Sequence, residues 1–274
     1  MKISITFILL IIVCAFPTEA QIFTPEYLAL ADSADPCIKK EKWPEAEHYI
    51  RKALKTEPAN KSNYLMWANL GMVCSYQNNH RGALEAYTIG LSTAPRSTSL
   101  LTNRAASYLA VGLNREALED LTTALEVDST LQRARKLRGI TLATLDQGEK
   151  ALQDFDKYEA DFGEDATIAD LRGNIMLKKQ QPVEALKYFK KSYRLEPEES
   201  TALKLLTTAY LSGHLEEERD ILEECIKKYE RNGNFYLLRA ALNRMLYQTS
   251  AMESDLKTAQ RLGADKRLSD MIFK

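Results

Sequence analysis

YLMWANLGMVCSYQNNHRGALEAYTIGLSTAP, residues 64–95, holds two small residues, Gly71 and Ala83, twelve positions apart. Large side chains flank them at three- and four-residue spacing: Trp67 and Cys74 around the first, Tyr87 after the second. On a helix those spacings share a face, so the segment reads as two helices whose backbones meet where side chains are smallest. Pro95 closes the unit. The same pattern recurs on both sides. Ala46, Ile50, Ala53 and Pro58 precede it by 37 residues, and Ala117, Leu121, Ala124 and Ser129 follow it by 34. Ala151, Phe155, Tyr158 and Gly163, then Ala185, Phe189, Ser192 and Pro197, continue at 34. Twelve residues before each alanine stands another small residue: Ala34, Ala105, Gly139 and Gly173. Two weaker units keep the phase, one through Leu203, Leu206, Tyr210, Leu222 and Cys225, one residue short around Gly213-His214, and one through Tyr236, Ala240, Leu256 and Ala259.

A period in this range marks a solenoid. The chain has 274 residues; 45% are hydrophobic, with 11 Gly and 8 Pro, which excludes disordered and collagen-like classes. The 37 basic and 38 acidic residues leave a formal charge of -1, so no global field draws in polyphosphate and nucleic acid is not an expected partner. Lys2, the apolar run Ile3 to Phe16 and the close Pro17-Thr18-Glu19-Ala20 have the layout of a secretory signal cleaved after residue 20. A retained anchor is the competing reading, but the run is shorter than the roughly 20 residues a bilayer requires. A lipoprotein reading through Cys14 is disfavoured by the bulk of Val13. No later segment is apolar enough to span a membrane, so the expected location is exported, periplasmic or secreted. The expected division is signal 1–20, lead-in 21–26, solenoid 27–266 and a terminal cap or tail 267–274. Pro36 should interrupt the first helix after Ala34. Leu268, Met271, Ile272 and Phe273 are expected to cover the last hairpin as a short cap; the alternative is an exposed apolar docking tail, and another subunit could fill the capping role.

The Leu70-Gly71, Cys74, Ala83, Tyr87 and Pro95 set, repeated in phase, resembles the tetratricopeptide repeat, from about Tyr27 to Gln260. The resemblance implies an all-α, right-handed superhelical solenoid of about seven helical hairpins. The departures are Ser129 and Gly163 in place of the linker proline, Met252 at a small site, and the altered sixth turn. The signal style and Gln21 are similar to exported proteins of Bacteroidetes.

Catalytic chemistry finds little support. His48, His80 and His214 have no metal-ligand spacing and no nucleophile motif beside them. Asp161-Phe162-Gly163 matches a kinase tripeptide, but no glycine-rich phosphate loop or catalytic loop accompanies it, and Gly163 falls in a linker. Neither cofactor nor metal is expected, and the chain reads as a non-enzyme. Asn60-Lys61-Ser62 matches a glycosylation sequon of a kind that chance produces readily. Cys37, Cys74 and Cys225, an odd number, fall at inward repeat sites and read as buried small hydrophobes.

Function is therefore expected on the surface made by the first helices, which in such stacks line a groove for a peptide or a partner helix. The inward residues of repeats one to three include Leu28, Ala31, Leu65, Ala68, Met72, Tyr76, Thr102, Ala106 and Ala110, with almost no charge. Asn69 and Asn103, 34 apart, match positions where the family's peptide binders hold an extended backbone; the alternative is that they cap or bridge neighbouring helices. The family's carboxylate clamp is incomplete here, because Ala68 and Met72, or Thr102 and Ala106, stand where lysine and asparagine belong. Repeats four to six are more charged, with Arg133, Lys136, Asp170, Asn174, Lys178 and Lys204. Two functions fit: a scaffold in the cell envelope holding one partner protein, or an assembly or secretion factor chaperoning outer-membrane or secreted clients.

Overall fold

The computed structural model describes residues 23–273. The expected signal, residues 1–20, lies outside the described residues. Those residues form an all-α solenoid, with no strand among them: α1 (Pro25–Lys39), α2 (Trp43–Thr56), α3 (Tyr64–Tyr76), α4 (His80–Thr93), α5 (Thr98–Ala110), α6 (Asn114–Val127), α7 (Gln132–Thr144), α8 (Gly148–Phe162), α9 (Ala166–Lys178), α10 (Pro182–Leu195), α11 (Glu199–Leu211), α12 (Arg219–Lys228), α13 (Gly233–Met245), α14 (Thr249–Arg261) and α15 (Lys266–Phe273). Short 3-10 turns cover Lys61–Asn63 and Leu215–Glu218. The chain divides into two compact units, one ending at Asn103 and the other beginning at Arg104, so that the border falls inside α5.

In the first unit α1 pairs with α2 and α3 with α4, and α2 stacks on α3. The core is the set the sequence marks: Ala34, Ala46, Ile50, Ala53, Leu70, Cys74, Ala83 and Tyr87 are buried. Gly71 is obligatory for the close approach, because a Cβ there would collide with the fully buried Tyr87 ring. The start of α1 is tied down by the linker after α2. Thr24 caps the helix through its hydroxyl, which accepts from the Tyr27 N–H, and donates its own N–H and O–H to Glu57 at 2.6 and 2.7 Å. Burial, reinforced by the Glu57 charge, pushes the Tyr27 hydroxyl up to about 12.

In the second unit α7 pairs with α8, α9 with α10 and α13 with α14, while α6 stacks on α7 and α10 on α11. Phe155, Phe189, Leu205, Leu206, Phe235 and Leu238 are fully or almost fully buried at its centre. The Gly71 logic repeats: a Cβ on Gly139 would stand 2.5 Å from the Phe155 ring, and one on Gly173 2.6 Å from Phe189. The final helix, α15, packs on α13 and buries Ile272.

Each turn inside a hairpin is closed by one residue of positive φ: Glu41, Asn78, Gly112, Asp146, Gln180, Gly213 and Tyr247. These turns recur every 34 residues except for 37 between Glu41 and Asn78 and 33 between Gln180 and Gly213. The missing residue therefore lies upstream of Gly213, between the α9–α10 turn and α11, and not at Gly213-His214 as the sequence suggested. What changes after Gly213 is the start of the second helix, which winds as a 3-10 turn before α12.

Two further expectations are corrected. Pro36 does not interrupt α1, which runs unbroken to Lys39. Pro36 and Asp32, whose carbonyl loses its donor, are both exposed, so water can take up that carbonyl; the turn beyond is closed by Lys40 N–H to Pro36 O at 3.1 Å and Lys42 N–H to Cys37 O at 2.8 Å. Cys74 and Cys225 are buried, but Cys37, in the last turn of α1, is half-exposed.

Candidate functional site

Leu65, Asn69, Met72 and Tyr76 are spaced four, three and four residues apart, so they form one stripe along α3. Leu65 is 57% exposed and Tyr76 38%, and Asn69 and Met72 between them are half-buried. Tyr76 is held by Trp43 at the start of α2, the two rings stacked at 4.4 Å and 3°. Such a pair contributes on the order of 1 kcal/mol beyond its buried area and leaves the outer tyrosine face presented in one orientation. Asn69 makes no side-chain hydrogen bond to a described residue, so its amide offers two donors and an acceptor on an otherwise apolar strip. Leu28, on α1, is likewise exposed. Asn103 is half-buried on α5 and Thr102 is buried, donating to the Thr98 carbonyl at 2.7 Å.

The charged residues of the second unit are engaged differently. Lys136 of α7 forms an ion pair with Asp165, the residue that caps α9 by accepting from the Ile168 N–H at 3.1 Å, and its ammonium stands 6.0 Å from the Tyr158 ring centre. Lys204 of α11 reaches both oxygens of Asp170 on α9 at 2.7 Å, and Asn174 donates to the same carboxylate at 3.1 Å. Lys178 binds Asp146 at 2.8 Å. Each lysine thus bridges one hairpin to its neighbour. Lys136 and Asn174 are not brought together, and neither presents an unoccupied charge or amide comparable to Asn69.

A second set of charges escapes a reading that treats charged residues as surface. Arg138 on α7 grips Asp154 on α8 with two bonds of 2.7 Å, Arg104 grips Asp120 at 2.8 and 2.7 Å, and Arg239 grips Asp255 at 2.9 and 2.7 Å. The arginine and aspartate are 16 residues apart every time, always within one hairpin, and the three aspartates are buried. Arg172 occupies the equivalent place on α9, but sixteen residues on stands Tyr188; the guanidinium lies over the Tyr188 and Phe155 rings and pairs with Asp156 at 2.6 Å. The bond to the carboxylate holds the Arg104, Arg138 and Arg239 guanidiniums above their ordinary pKa against the opposing cost of burial. The signal was in the sequence as an Arg-to-Asp spacing of 16 that recurs 34 residues on, from Arg104 to Arg138, and again at Arg239.

His48 is exposed on α2, His80 meets the Asn78 side chain at 3.0 Å, and His214 meets Ser212 at 3.2 Å. Among the described residues no three His, Cys, Asp or Glu side chains are grouped to hold a metal ion, and no helix is long and apolar enough to cross a membrane. Gly163 ends α8 with φ +83 and donates to the Glu159 carbonyl at 3.0 Å.

Among solved structures the chain is similar to a tetratricopeptide repeat protein from Parabacteroides merdae, at 24% identity over 91% of this chain and 98% of that one, with a TM-score of 0.65. It is also similar to PilW, a type IV pilus biogenesis factor, at 20% identity over 77% of this chain and 97% of that one (TM-score 0.62), and to pilF of Pseudomonas aeruginosa at 16% over 78% and 97% (TM-score 0.62). No family model and no curated protein matches the chain. The fold is the tetratricopeptide fold.

Proposed function

We propose that this protein is a non-enzymatic interaction scaffold of the bacterial cell envelope, and that it takes a peptide segment or a partner helix on the α3 stripe of Leu65, Asn69, Met72 and Tyr76. One observation carries the reading: this stripe stays open, its aromatic end braced by Trp43, while Lys136, Asp170, Lys178 and Lys204 on α7, α9 and α11 are spent on ion pairs between hairpins. In stacked helical hairpins the first helices form the surface on which extended ligands lie. Leu65, Met72 and Tyr76 supply apolar anchors, and Asn69 supplies the paired donor and acceptor that a ligand backbone needs. Asn103, one repeat on, would extend that ladder. The envelope assignment rests on the signal-like first 20 residues, and the likeness to PilW and pilF is in keeping with it.

A photo-crosslinking residue placed at 65 or 69 in intact cells, followed by capture and mass spectrometry, tests the reading. The expected product is one protein, crosslinked from these positions but not from exposed Lys157 on α8. Equal yield from position 157, or no product from α3, would sink it.

The likeness to PilW, a biogenesis factor, favours a second reading, an assembly or secretion factor for outer-membrane or secreted clients. It predicts many weakly held products at position 65 where a scaffold gives a single stoichiometric one.

A further inference from the structure

The last turns of α11 and α13 carry Tyr210 and Arg244, 34 residues apart, and both meet α15. Tyr210 donates its hydroxyl to the Ile272 carbonyl at 3.3 Å. Arg244 lays its guanidinium on the Phe273 ring at 4.8 Å and donates to the Tyr210 hydroxyl at 3.3 Å. Ile272 is 3% exposed, and Leu268 and Phe273 pack against the same core. The α15 helix is thus held through its own backbone acceptor at Ile272, the face of Phe273 and two aliphatic side chains four residues apart.

The fit is incomplete. Leu211 and Met245, next in sequence to Tyr210 and Arg244, stay exposed, as does Met271 on α15 itself. Tyr247, two residues beyond Met245, is 93% exposed and held at φ +58, a conformation costly for a bulky side chain. At eight residues α15 is too short to be stable as a helix alone, and it hangs on the linker Leu262 to Asp265, where Gly263 has φ +69.

We propose that Tyr210 and Arg244, with Leu211 and Met245 beside them, form a docking site for an amphipathic helix, that α15 is its resident ligand, and that a partner helix exchanges with it. The partner carries the α15 pattern, an aliphatic residue, a second one four positions on and an aromatic directly after it. It is longer, so that it also covers Leu211 and Met245. That added contact is the differential affinity which lets a partner win against a tethered competitor. A tether this short gives the resident helix an effective concentration of about 1 mM, so a free helix of equal affinity is largely excluded until α15 is released. This site stands apart from the α3 stripe and does not depend on it.

The test uses the full chain and a fluorescent peptide with the sequence of residues 266–274, KRLSDMIFK. Ile272→Asp releases α15, and the peptide should bind this variant at least tenfold more tightly than the wild-type chain. Adding Arg244→Glu, at an exposed position outside the core, should abolish the gain. Equal binding to wild type and to a folded Ile272→Asp chain overturns the proposal, as does a gain that Arg244→Glu leaves intact. Hydrogen exchange on the wild-type chain decides independently of any variant: residues 268–273 should exchange well before α13, and exchange only together with α13 would mean a permanent part of the fold.

Discussion

The α3–α4 and α7–α8 hairpins share a frame residue for residue, 68 positions apart, yet solve the same contact in opposite ways. Gly71 faces Tyr87 as Gly139 faces Phe155, and Asn78 and Asp146 close the two turns at nearly the same φ. Beside the glycine, however, α3 places Leu70 where α7 places Arg138, and α4 places Ala86 where α8 places Asp154. One hairpin buries two apolar side chains where the other holds an ion pair with a buried carboxylate. The first-helix stripes differ at their ends, where Leu65 and Tyr76 on α3 become Arg133 and Thr144 on α7, while Asn69 and Met72 between them become Leu137 and Ile140. A common backbone thus carries two different stripes, α3 with one amide between apolar ends and α7 with apolar residues between polar ends.

The largest effect should come from breaking the buried pair. Asp154→Ala leaves Arg138 and the buried Arg135, 3.9 Å from the same carboxylate, without their countercharge, and should cost about 3 kcal/mol in denaturant unfolding. The reciprocal graft sharpens the comparison. Ala86→Asp alone should destabilise by a similar amount, and adding Leu70→Arg should recover most of it; no recovery would mean that the two frames are not equivalent. Next comes Leu65→Glu, which should weaken partner binding tenfold or more while changing stability by less than about 0.5 kcal/mol. Affinity unchanged in this variant would remove the α3 stripe as the site. Lys204→Ala should do the reverse: less than about 1 kcal/mol of stability, smaller still at high salt, and no effect on partner capture.

The smallest effect is local and depends on pH. Glu57 sits below the usual glutamate value of 4.5 because it accepts from the Thr24 backbone, then from the Asn60 amide and the Thr24 hydroxyl. A carboxyl depressed in the fold stabilises above its ordinary value, and that contribution is lost as pH falls through the lower, folded value. Acidification below 4.5 should therefore loosen α1 before α3 in hydrogen exchange, and Glu57→Gln should remove the difference. Equal protection of both helices across that range would show that Glu57 does not anchor α1.

What could be read from the sequence is what close packing demands. Gly71, Gly139 and Gly173 admit no side chain opposite an aromatic ring, so the small residues and their period had to show. The α3 stripe was legible for the same reason, since helical spacing alone puts Leu65, Met72 and Tyr76 on one line. Lys136 and Asn174 were legible as first-helix positions but not as paired ones, because their partners Asp165 and Asp170 become neighbours only through helix geometry. The Arg138–Asp154 kind of pair was hidden by its own chemistry: charge usually signals solvent, and only the spacing of 16 betrays that these charges face inward. Pro36 misled because its cost was assigned to a helix interior, whereas it falls in the last turn on the solvent side.

The Lys178–Asp146 and Lys204–Asp170 bridges of the second unit run between hairpins and stand near the surface, whereas the Arg104, Arg138 and Arg239 pairs with aspartate lie within hairpins and are largely covered. Dissolved ions screen exposed charges over about 10 Å at 0.1 M and reach covered ones far less. Added salt therefore weakens these two lysine bridges before it reaches the arginine–aspartate pairs, while the apolar core that the hairpins share keeps them joined.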